Sequence, residues 1–174
     1  MMKHLLLSAL LCWGIAHPAV AAAPPSSSAP LPTTIGTGVA VEGDVISVNG
    51  TVVRLWGIDA PDNGQTCTNR VGQSYNCFEK AKAALNQLIG QNQITCYVRG
   101  QDFHGQKLGT CAVGGLDLAA LVVRAGWAMS FASLSPQYSL MEGVAQAAKR
   151  GMWAGRAQAP WLWRSEQILA RRNK

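Results

Sequence analysis

The chain has 174 residues, 48% hydrophobic and 14% charged, which supplies a core for one domain and excludes a wholly disordered polypeptide. Fifteen Lys and Arg against nine Asp and Glu leave a net charge of +6, which favours polyanionic partners without naming one. The one apolar run long enough to interest a membrane, Leu5 to Ile15, is too short to span a bilayer.

That run follows Met1-Met2-Lys3-His4 and precedes the small-residue site Ala19-Val20-Ala21, so residues 1–21 are predicted to be a secretory signal peptide. Export to the periplasm or the medium is expected, with no stable membrane anchor after cleavage near Ala21. Cys12 lacks the small preceding residue of a lipoprotein site. Cleavage leaves Cys67, Cys77, Cys96 and Cys111, which in an exported protein predict two disulfides. None forms a C-x-x-C pair, so zinc and thioredoxin-like chemistry are disfavoured. Pairs 67–77 and 96–111 are expected because each closes a short local loop, although three connectivities are open.

Residues 22–36 are expected to be a flexible leader rich in Pro, Ser and Ala, followed by a domain over 37–153 and a basic tail over 154–174. Val39 to Val48 and Thr51 to Ile58 read as strands joined by an Asn49-Gly50 turn, which pairs Val48 with Thr51 and Ile46 with Val53. On flat strands Arg54 then lies one rung from Asp44 on the opposite face, and a bulge at Gly43 would re-aim the aspartate. Asp59 to Asn76 reads as a loop. Phe78 to Ile89 reads as a helix ended by Gly90, and 93–99 and 107–113 as strands. Asp117 caps a helix carrying Leu118, Leu121, Val122 and Ala125. Ser135-Pro136 starts another, with Met141, Val144, Ala145 and Ala148 facing inward. This order suits an α+β domain with a small barrel and helices on one side.

Asp44, Asp59 and Asp62 place short carboxylates at strand ends, a donor set that suits a hard cation such as calcium. Aspartates beside Gly and Pro equally serve turn chemistry. Arg54, between Val53 and Leu55, is either solvated on an outer strand face or turned toward the aspartates as a phosphate ligand.

Val41-Glu42-Gly43-Asp44 followed by Val53-Arg54-Leu55-Trp56-Gly57-Ile58-Asp59-Ala60-Pro61-Asp62 resembles the staphylococcal-nuclease family. Gln65, Cys67, Asp102-Phe103-His104-Gly105, Asp117-Leu118, Leu121-Val122, Gly126-Trp127-Ala128 and Arg150-Gly151-Met152-Trp153 continue the likeness, which covers about Val39 to Trp163. The resemblance implies a five-stranded OB barrel with three helices and calcium-assisted hydrolysis of phosphodiesters in DNA and RNA. It implies that Asp44, Asp59 and the Ala60 carbonyl hold Ca2+, that Asp62 stands for a glutamate that orients water, and that Arg54 binds phosphate. Gln106 stands where the family has a second arginine, and Asp62 is one methylene shorter than glutamate.

A missing cationic donor costs on the order of 10³-fold in such chemistry. His104, when protonated, is one candidate to compensate. Lys107 adjoins Gln106 but is expected on the other strand face.

The last 26 residues interleave Lys149, Arg150, Arg156, Arg164, Arg171, Arg172 and Lys174 with Trp153, Trp161 and Trp163. The tryptophans either stack on bases or pin the tail to the barrel, and Arg171 and Arg172 suit diffuse attraction to a nucleic acid. Three readings follow: an exported nuclease, a non-catalytic module that binds DNA, RNA or another polyanion, and a disulfide-stapled envelope interaction domain. A monomer is expected.

Overall fold

The structure, a computed structural model, describes residues 31–173. The expected signal peptide, Cys12, most of the leader and Lys174 lie outside the described residues. Strands β1 (Thr33–Gly36) and β2 (Gly38–Ala40) are separated by Thr37 alone. β3 (Val45–Val48) and β4 (Thr51–Leu55) form the expected hairpin, pairing Val48 with Thr51 and Ile46 with Val53. Its turn places Asn49 and Gly50 at positive φ, 47° and 79°, as a two-residue hairpin turn requires.

The chain continues through β5 (Ile58–Asp59), β6 (Thr66–Thr68) and β7 (Ser74–Asn76) into α1 (Cys77–Ile89). Asn76 caps α1 by accepting from the Glu79 N–H, and Gly90 ends it at φ 55°. Strands β8 (Ile94–Gln101), β9 (Lys107–Val113) and β10 (Leu116–Asp117) follow, then α2 (Leu118–Arg124), β11 (Met129–Ser130), α3 (Ser139–Ala147) and α4 (Pro160–Arg172). The Asp117 side chain caps α2 as expected. Among the described residues no helix is long and apolar enough to cross a membrane.

The main sheet runs β1-β8-β9-β4-β3-β2, with β10 also on β9. All pairs are antiparallel except β4 with β9, which are parallel. The architecture is α+β, as expected; no closed five-stranded barrel is seen among the described residues, and α1, α2 and α3 fall within the expected domain over 37–153, with α4 in the tail. The sheet has seven strands without a closed circuit, and there are four α-helices among the described residues.

The differences have local causes. Thr33–Gly36, expected to end the leader, pairs with β8 from Thr33 opposite Tyr97 to Gly36 opposite Ile94, and the Asn49 amide donates to the Ile35 carbonyl from the hairpin turn. Val39 to Val48 is interrupted by a bend over 41–44, in which the Val41 and Glu42 N–H groups both donate to the Val45 carbonyl. The expected loop after Asp59 carries the β6–β7 ribbon. Val144 and Ala148 prove exposed, and only Ala145 of α3 is fully buried, because a Pro136–Tyr138 single turn precedes α3 and buries Tyr138 instead.

Two clusters form the interior. The larger holds Ile46, Val53, Leu55, Leu85, Ile89, Ile94, Leu118 and Val122 between sheet and helices, with the Cys96–Cys111 disulfide inside it. The smaller gathers the Cys67–Cys77 disulfide, Met129 and Met152, with Tyr75, Trp153 and Trp161 packed around them. Both expected disulfides are therefore present. Trp161 belongs to the second cluster, which is how the tail is rooted.

Candidate active site

Asp44 sits at the end of the 41–44 bend, just before β3. The close approach there needs Gly43, since a Cβ at that position would stand 2.7 Å from the Cβ atoms of both Ala60 and Ala81. This bend, in place of a simple bulge, is what re-aims Asp44. Arg54 stands opposite Val45 on β4, and its long guanidinium reaches past that rung. Nη1 donates to Asp44 Oδ2 at 2.7 Å, Nη2 to Glu42 Oε2 at 3.3 Å and Nε to Gln106 Oε1 at 3.4 Å. Arg54 thus faces the aspartates, and Gln106 is on its side of the sheet.

Asp59 ends β5, and Asp62 follows two residues after Ala60 across Pro61. Arg164 of α4 reaches both. Its Nη1 donates to Asp62 Oδ2 at 2.8 Å and Asp59 Oδ1 at 3.1 Å, and its Nη2 to Asp59 Oδ2 at 2.5 Å. Gln65, fully buried, ties the two segments together: its Oε1 accepts from the Asp62 N–H and its Nε2 donates to the Gln158 carbonyl just before α4.

Burial is the main influence on the two inner carboxyls. It pushes Asp44 up to about 7, with Arg54 opposing and Asp59 and Glu42 adding to the rise. Asp59 is raised by the same loss of water, partly offset by Arg164. Burial alone would lower the two guanidinium groups, but their carboxylate partners raise both.

These carboxyls fit a hard cation. Asp44 and Asp59 are buried oxygen donors close enough to raise Asp44's proton affinity, a strain that a bound cation relieves. Among the described residues no three His, Cys, Asp or Glu side chains converge as a cage. A calcium ion, which takes six to eight oxygens, would draw the remainder from the Ala60 carbonyl, water and substrate.

Other candidates lie apart. His104 is exposed in the β8–β9 turn with its ring against Phe103, and Lys107 is exposed opposite Val53, on the other face from Gln106, as strand alternation predicts. Arg171 and Arg172 are exposed in the last turn of α4. A concavity lined by Thr68, Arg70, Lys149 and Arg156 contains none of the carboxylates. Arg164, Glu42 and Gln65 had no assigned place in a site from sequence. The Trp161-Leu162-Trp163-Arg164 segment after Pro160 signals an anchored helix start, but no spacing rule pairs Arg164 with Asp59, 105 residues away.

A sequence model of the family described as staphylococcal nuclease homologue matches residues 52–155. The chain is 31% identical over 94 residues to the succinoglycan biosynthesis protein ExoI of Rhizobium meliloti (strain 1021), covering 53% of this chain and 49% of that one. It is 31% identical over 124 residues to the probable staphylococcal-like nuclease CAN2 of Oryza sativa subsp. japonica, covering 70% of this chain and 31% of that one. An uncharacterized endonuclease of Escherichia coli O157:H7 is 26% identical over 132 residues, with 71% and 80% covered. The chain thus spans about half or less of the length of the first two relatives. With the matched region carrying Arg54, Asp59, Asp62 and Gln106, the chain belongs to the staphylococcal nuclease homologue family.

Proposed function

We propose that the protein is an exported, calcium-dependent phosphodiesterase acting on DNA or RNA. The observation that carries this reading is the convergence of Asp44, Arg54, Asp59 and Asp62 in one half-buried charged cluster. A surface that merely holds nucleic acid gains nothing from carboxylates that repel phosphate. Relatives named as nucleases support the same reading. The two disulfides support export to an oxidising compartment, periplasm or medium.

The five-stranded OB barrel is part of this proposal. β1 and β2 stand at opposite ends of the sheet path yet are separated only by Thr37, so one bent strand touches both ends. Counted as one, they would join β3, β4, β8 and β9 as the five strands of such a barrel.

In this reading Asp44, Asp59 and the Ala60 carbonyl hold calcium. When bound, calcium supplies Lewis-acid polarisation of a phosphoryl oxygen and a template for the substrate. Arg54, pinned by Asp44 and Glu42, keeps its charge and directs it to the phosphate, where negative charge grows in the transition state. Asp62, partly exposed, orients the attacking water. Gln106 accepts the Arg54 Nε–H through its Oε1, which leaves its amide NH2 to donate to a phosphate, but it brings no charge.

The test is cleavage of single-stranded and duplex DNA by the purified mature protein with calcium and with a chelator. Calcium-dependent cutting, reduced at least 10²-fold by Arg54→Ala, is expected. Clean binding without cutting at high protein and long times overturns the enzyme reading. It would favour a non-catalytic nucleic-acid module, for which the neutral Gln106 is the specific observation.

A further inference from the structure

Gln106 leaves the site one cation short, and α4 brings one in from the opposite side. We propose that Arg164 is the second phosphate-binding guanidinium of the site, supplied by the C-terminal helix and not by the β8–β9 turn; this rests on the nucleic-acid reading above.

Charge balance calls for a second cation. Glu42, Asp44, Asp59 and Asp62 present four carboxyls, and Arg54 alone cannot make that surface hospitable to a phosphodiester. Arg164 supplies the missing positive charge next to Asp59 and Asp62, the segment expected to orient water.

The unused donors of Arg164 share one edge. A guanidinium carries five N–H groups. Arg164 spends two from Nη1 and one from Nη2 on Asp59 and Asp62. The Nε–H and one Nη2 proton remain. Those two lie on the same edge of the group and form the side-on fork that binds a phosphate through two parallel bonds. Among the described residues no acceptor takes those two protons, and the side chain as a whole is 40% exposed, while its other donors are held by carboxylates.

The fold also holds Arg164 in place. Arg164 is not a loose surface residue. Pro160 starts α4 and is buried, and Trp161 packs on Phe131 and on the cluster around the Cys67–Cys77 disulfide. Gln65 holds the Gln158 carbonyl, Gln158 holds Glu166 at 2.7 Å, and Thr68 exchanges backbone bonds with Arg156. The helix is therefore fixed to the segment that carries Asp62, and the guanidinium stays placed without the carboxylates having to recruit it.

The test uses the mature chain and four variants: Arg164→Ala, Arg164→Lys, Arg164→Ala combined with Gln106→Arg, and Arg124→Ala, which removes the same charge from an exposed position at the end of α2. Affinity for a single-stranded phosphorothioate oligonucleotide is read by fluorescence anisotropy with calcium, cleavage is read separately, and calcium affinity is read by calorimetry. Arg164→Ala is expected to weaken oligonucleotide binding at least tenfold more than Arg124→Ala and to lower kcat/KM 10²- to 10³-fold. Arg164→Lys, which keeps charge but has no fork, is expected to recover only part of the binding and decides the case if the alanine variant fails to fold. Gln106→Arg is expected to restore part of what Arg164→Ala loses.

Binding no weaker than that of Arg124→Ala overturns the proposal. So does faster cleavage with tighter calcium binding in Arg164→Ala, which would make Arg164 a competitor for the metal carboxylates. A wild-type protein that binds the oligonucleotide but never cuts refutes the enzyme reading, while the binding comparison still decides Arg164. A wild-type protein that does not bind the oligonucleotide refutes both.

Discussion

Burial strips water from the Asp44 carboxylate, and its 2.7 Å bond to Arg54 returns only part of what is lost, so the group holds its proton up to about pH 7. In the unfolded chain the same carboxyl releases its proton near ~3.9. Between those values the folded protein binds more protons than the unfolded one, so metal-free stability must fall as pH rises from about 4 through about 7. Asp59 is shifted in the same direction and adds to the slope. In chelator, the denaturant midpoint is expected to be higher at pH 5 than at pH 8, by an amount equivalent to roughly a few kcal/mol at most. Asp44→Asn keeps an oxygen that accepts from Arg54 but cannot ionise, and is expected to flatten that pH dependence. An equal slope in the variant would mean that Asp44 ionises normally. Saturating calcium is expected to lift wild-type stability most at pH 8, where the carboxylates carry the charge it offsets.

At the scale of elements, the contact that joins the site to the tail is Gln65. It is wholly buried, and both ends of its amide are used, toward Asp62 and toward Gln158. Gln65→Leu keeps the volume and strands the partly buried Asp62 N–H and Gln158 carbonyl. The expected cost is about 1–3 kcal/mol, seen as a fall of a few degrees in Tm. Cleavage is expected to fall as well, because Asp62 and Arg164 lose their common support. A Tm loss with unchanged kcat would show that the support is structural only.

This element also marks where sequence reading stopped. The hairpin, α1, β9 and the α2 cap were legible because each rests on local chemistry: Asn49-Gly50, the apolar face from Phe78 to Ile89, and the Asp117 cap. Asp44, Arg54, Asp59 and Asp62 were legible through family motif order. The turn of Asp44 toward Arg54 depends on three backbone bonds around Val41 to Val45, and the α4 contacts join segments about a hundred residues apart. Neither leaves a periodic trace in the chain.

For the whole molecule the basic charge divides between internal partners and the nucleic acid proposed above. Half-buried Arg54 and Arg164 are committed to carboxylates, and Arg150 donates to the Arg124 carbonyl at the end of α2. Arg171 and Arg172 are exposed at the C-terminal end of α4, where the helix dipole already favours cations, so their position has an explanation without any ligand. Their helix is nevertheless the one that carries Arg164, and a strand crossing the site along α4 would pass them. Each phosphate contact on single-stranded nucleic acid contributes ~0.7 to the slope of log affinity against log salt. The double variant Arg171→Ala/Arg172→Ala is therefore expected to lower that slope by up to ~1.4, to weaken binding most at low salt, and to leave kcat unchanged at saturating DNA. An unaltered slope would assign both arginines to the helix dipole alone and would confine the nucleic-acid footprint to the carboxylate site and its two guanidinium groups.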